Sequence, residues 1–117
     1  IDAAMGTIER GLQVHPGDPL LSNNLGMCRI IRKEYEQALE MFTEASVAMP
    51  KNARYLANMA MTLAMLGRYE ESLSLYKRIL PEDEANYNLS ILQKSREKSN
   101  TSPAAEPDTQ ATMDEEK

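Results

Sequence analysis

Apolar residues recur at helical spacing along most of this chain. Tyr35, Ala38, Leu39, Phe42, Ala45 and Met49 fall on one face at steps of three and four, while Glu36, Glu40 and Glu44 share another. The spacing predicts an amphipathic helix over 35–49 with a solvated glutamate face. The run before it, from Pro19 to about Arg32, is apolar over most of its circumference, as a helix sandwiched between two others must be. Asp18 then Pro19 is a helix start: a side-chain cap, followed by a residue whose missing N–H is not needed there. Asn52 repeats that cap for a helix from Ala53 to about Leu66, and 69–80 pairs with it before Pro81. Residues 1–14 read as one more helix, and a last one runs from Glu82 to about Lys98. Its acidic first turn and its basic end suit the helix dipole.

These elements repeat at one offset. Ala4 and Ala38 lie 34 residues apart, as do Ile8 and Phe42, Gly11 and Ala45, and Pro16 and Pro50. The same step takes Asn24 to Asn58, Leu25 to Met59, Gly26 to Ala60, Tyr35 to Tyr69 and Phe42 to Tyr76. So many size-matched coincidences define an internal repeat.

Paired helices with this period, small residues where they touch, aromatics where they wedge and Pro after the second helix resemble the tetratricopeptide repeat family. Leu25, Gly26, Tyr35, Ala38, Phe42, Ala45 and Pro50 carry the likeness, which covers residues 1–98. It implies an all-α fold, a right-handed α-α superhelix (TPR solenoid) of about two and a half repeats: the second helix of a truncated repeat (1–16), repeats 18–51 and 52–81, and a capping helix 82–98. The sequence departs from the family at Ser22 and Arg29, where aromatics are usual, and at Lys33, where Gly is usual. A left-handed Lys33 would carry a strain of roughly 1–2 kcal/mol.

The first helix lacks a partner of its own unit, which leaves a flank of Ile1, Met5, Ile8 and Leu12 partly uncovered. Three readings follow: a fragment of a longer solenoid, the end of a larger enzyme with its catalytic domain upstream, or self-association through this helix. At the other end, residues 99–117 hold no aromatic and hardly any large apolar group, and are expected to form a disordered acidic tail.

Charge sharpens that division. The net charge is -5, but residues 1–98 hold 12 basic and 13 acidic side chains, so the acidity belongs to the tail. No basic surplus exists to neutralise phosphates, which argues against nucleic-acid binding. The longest apolar-rich run, 57–66, is too short to span a bilayer.

No catalytic constellation is present. His15 is the sole histidine and Cys28 the sole cysteine, so triads, disulfides and zinc sites lack their parts, and neither an enzyme nor a cofactor is expected. His15 reads as an exposed loop residue, Cys28 as a small packed one.

What remains is a surface. By the resemblance, first helices line a concave groove for a peptide or partner protein. Its residues here would be Leu20, Asn23, Asn24, Met27 and Ile31; Arg54, Ala57, Asn58, Met61 and Met65; and Glu84, Tyr87, Asn88 and Ile91. Asn24, Met27, Arg54, Asn58, Met61, Met65, Tyr87 and Asn88 are the expected contacts. An amide both donates and accepts, so asparagines can grip a peptide backbone whatever its sequence. The family's carboxylate-clamping groove is not expected, because Asn23, Met27, Glu84 and Asn88 fill its cationic places and only Arg54 is basic. Finally, Ala85, Tyr87, Asn88 and Leu89, with NNLGMC and PKNARYLANMAMTLAMLGRYEESL, resemble bacterial repeat proteins similar to the Tad pilus assembly repeat lipoprotein. That likeness implies an accessory role in pilus or secretion assembly at the periplasm or outer membrane; apart from it the compartment is open, the cytoplasm included.

Overall fold

The computed structural model describes the backbone of residues 1–101 and the side chains of residues 1–98. Six helices follow in order: α1 (Asp2–Val14), α2 (Pro19–Ile31), α3 (Tyr35–Ala48), α4 (Ala53–Met65), α5 (Tyr69–Ile79) and α6 (Glu82–Thr101). Starts and stops through Ile79 fall within one residue of the sequence expectation. The caps explain why. Asp18 Oδ1 accepts from the Leu21 N–H at 3.1 Å, and Asn52 Oδ1 accepts from the Tyr55 N–H at 3.1 Å. Each satisfies one of the amides that a helix start leaves unpaired.

Helices pack on their chain neighbours, α2 on α3 and α4 on α5 most extensively, with α3 joining α4 and α6 lying on both α5 and α4. The result is a thin array of 57 × 38 × 15 Å. Closest approach within a pair occurs at small residues: Ala38, Ala45 and Ala60 have no exposed surface, and Phe42 is likewise fully enclosed. The α2–α3 and α4–α5 turns each need one residue in the left-handed region. Gly67 takes it at φ 81°, whereas Lys33 takes it at φ 63° with the strain expected of a side chain there.

The structure corrects two expectations and adds one contact. Met5 on α1 is not left uncovered: it is buried in a cluster with Leu25 and Cys28, flanked by Ile8, Leu12 and Met41, and the Arg32 guanidinium reaches its sulfur at 3.5 Å. Ile1, by contrast, is 53% exposed. Next, the last helix continues three residues past Lys98, so residues 99–101 belong to α6; the rest of the expected acidic tail lies outside the described residues. Arg96, at the basic end of α6, docks on the array. Its Nε donates to the Met65 carbonyl at 3.2 Å and its NH1 to the Tyr69 hydroxyl at 3.4 Å, fastening α6 over the end of α4.

The two departures from the repeat pattern on α2 resolve differently. Arg29, half-buried, pairs with Glu34 at 2.9 Å and with Glu9 at 3.8 Å, so a charge bridges where an aromatic would wedge. Ser22 is buried and its hydroxyl finds no hydrogen-bond partner. A group of that kind carries a desolvation cost of about 1–3 kcal/mol.

Candidate functional site

Helices α2, α4 and α6 occupy equivalent places in the array, so their matching residues form rows across one face. The first row is Leu20, Arg54 and Glu84; the second is Asn24, Asn58 and Asn88; the third is Met27, Met61 and Ile91. Ile31 and Met65 begin a fourth, and Asn23, Ala57 and Tyr87 make a row beside the second. Exposure along these rows is unequal. Leu20 is 55% exposed, Ile31 65%, Tyr87 66% and Ile91 47%, and Met27 is exposed as well. Met61 and Met65 are half-buried and make a lower apolar strip between the two outer helices. Burying a large apolar side chain is worth about 1.5–3 kcal/mol, so a face that leaves five of them in water carries a standing cost unless something covers it.

The asparagine row divides. Asn24 is exposed and Asn88 half-buried, so both have amide groups within reach of solvent. Asn58 is already engaged: its Nδ2 donates to Asn23 Oδ1 at 2.8 Å, joining α4 to α2. Asn23, expected in the groove, is buried at 5% exposure and serves this internal bridge. Sequence reading missed the pairing because it joins residues 35 positions apart, one step off the repeat.

Charge on this face is sparse. Arg54 and Glu84 stand exposed in the row at the helix starts, and the two rows beyond them are uncharged. The stronger electrostatic features lie on the second helices. There Arg68 donates to both carboxylate oxygens of Glu71, at 2.8 and 2.9 Å. The hydrogen bond first, and the opposite charge with it, hold the Glu71 carboxyl below its usual range and raise the Arg68 guanidinium.

Among the described residues no group of three or more His, Cys, Asp or Glu could hold a metal ion. None of the described helices is long and apolar enough to cross a membrane. Cys28 is buried and His15 exposed.

Paired helices, small contact residues and the left-handed turns together define an all-α repeat array. Residues 18–84, more than half of the chain, match the tetratricopeptide repeat family, and the chain belongs to it. Its class is that of a protein–protein interaction scaffold. A stretch of 42 residues is 48% identical to human DnaJ homolog subfamily C member 7, and 45% identical to the same protein of Mus musculus. Each match covers 36% of this chain and 8% of the relative, so the chain spans a small part of the proteins it resembles.

Proposed function

We propose that the face made by α2, α4 and α6 recruits a peptide or partner protein, with Met27, Met61, Met65 and Tyr87 supplying apolar contact and Asn24, Asn88 and Arg54 supplying polar ones. The observation that carries this is the distribution of exposed apolar side chains: of nine large ones among the described residues, Leu20, Met27, Ile31, Tyr87 and Ile91 all fall on this face. A micromolar complex needs about 8 kcal/mol. Asparagine contacts give roughly 0.5–1.5 kcal/mol each, so the apolar rows must supply most of it. Methionines make that surface tolerant of more than one partner shape.

Asn58 holds a secondary place in this scheme. Its amide supports Asn23 and retains one N–H and its own Oδ1 for a ligand. Within the same reading, the closing run Ala85, Tyr87, Asn88 and Leu89 supports an accessory role in bacterial pilus or secretion assembly, exerted by holding another component.

The test is retention of partners from a lysate by the chain and by a Met27→Glu, Tyr87→Glu double variant, with helicity matched by circular dichroism. Both side chains are exposed, so the fold tolerates the change. The proposal expects bands held by the first and lost by the second. Equal retention removes this face as the partner surface.

A further inference from the structure

A second cleft lies on the other side of the array, between α3 and α5. Both helices pack on α4, which forms the floor between them. Leu39 from α3, Met59 and Leu63 from α4 and Leu75 from α5 line a cavity of about 460 Å³, within the usual size range of ligand pockets. Its rim on the α5 side carries Arg68, Glu71 and Arg78.

The rim charges are not equivalent. Arg68 is neutralised by its two-pronged pair with Glu71. Arg78 is exposed and, among the described residues, makes no ion pair, so its guanidinium leaves the α5 rim with one uncompensated positive charge beside the apolar floor. Across the cleft, Glu36, Glu40 and Glu44 line the neighbouring outer surface of α3 together with Leu39 and Thr43. The charged groups that line the cleft itself, Arg68, Glu71 and Arg78, all lie on its α5 side, so a ligand anion is drawn there.

We propose that this cleft is a separate docking site for a short segment of a partner protein in which a carboxylate neighbours an aliphatic side chain. The aliphatic group seats on Leu39, Met59, Leu63 and Leu75, and the carboxylate meets Arg78, whose planar fork suits two-pronged binding of a carboxylate. The site shares no residue with the α2, α4 and α6 face, so the protein can hold two segments at once.

The probe is a capped tetrapeptide of alternating leucine and glutamate, titrated into the isotopically labelled chain and followed by amide chemical shifts. A peptide of alternating leucine and lysine is the control. The expected result is a saturable shift at Leu39, Met59, Leu75 and Arg78 with the glutamate peptide, and binding of the lysine peptide weaker by about fivefold, the scale of one exposed ion pair. Arg78→Glu, an exposed change, should reverse that preference, and Leu75→Ala should weaken both peptides. Shifts confined to the α2, α4 and α6 face, no saturable shift at the cleft, or a preference that Arg78→Glu leaves unchanged would each overturn the proposal.

Discussion

Gly26 and Phe42 are in contact so close that a methyl group on Gly26 would stand 2.5 Å from the ring Cε1 and 2.7 Å from Cδ1. Phe42 is wholly enclosed and has nowhere to move. In the next repeat Ala60 fills the matching place and is itself fully buried, so the tolerance belongs to the partner ring and not to the position. Gly26→Ala should therefore destabilise the array by about 1–3 kcal/mol through overpacking, even after gaining about 0.5–1 kcal/mol of helix propensity. Thermal melting would show the midpoint falling by at least about 4 °C. An unchanged midpoint would mean that the ring can shift.

The two inter-helix turns make opposite predictions for one backbone geometry. Lys33→Gly relieves a side chain at φ 63° and should stabilise by about 0.5–1 kcal/mol after the entropy of the unfolded glycine is deducted. Gly67→Ala should lose about 1–2 kcal/mol, because φ is 81° and the Arg96 guanidinium lies 3.1 Å from the new methyl. Chemical denaturation of both variants gives the comparison directly.

The Asn23–Asn58 bridge is asymmetric. Asn58 is half-buried and regains water if its partner is removed, whereas Asn23 is buried and does not. Asn58→Ala should thus cost about 1–3 kcal/mol, more than Asn23→Ala, and a double-mutant cycle should return a coupling near 1 kcal/mol. Zero coupling would show that the bridge is absent in solution.

Tyr76 gives the fold an alkaline limit. Burial pushes its phenol above the usual range by penalising the charged form. The unfolded chain then ionises at lower pH than the folded one. The stability this represents is whole below the ordinary phenol pKa and is lost as pH rises through the raised value. Tyr76→Phe should remove that contribution, so its stability should fall less steeply above about pH 10 in denaturation curves collected across the alkaline range.

How much of this was legible in the sequence follows from the reach of each signal. Helix spans, caps and pair contacts are local or recur at one period, so Asp18, Asn52, Gly26 and Phe42 could be placed before any coordinates. Sequence also marked Lys33 as a strained turn. It did not show that Arg29 would be held by Glu34 and Glu9, that Arg96 would turn back onto the end of α4, or that Asn58 would be engaged by Asn23. Most of these contacts join different repeats through long side chains, and no periodicity encodes them. The candidate face was legible as a set of equivalent positions. Its division into exposed Leu20, Met27, Ile31, Tyr87 and Ile91 and lower-lying Met61 and Met65 needed the tilt of neighbouring helices.

The most direct measurement places a photoreactive phenylalanine analogue at Tyr87 and, in a second protein, at Val14, a comparably exposed apolar site on α1. Irradiation in lysate, followed by gel analysis, reads which surface a partner touches. The account predicts discrete crosslinked bands from position 87 that Met27→Glu abolishes, and none from position 14. Bands from Val14 alone, or bands from Tyr87 that persist with Met27→Glu, would contradict it.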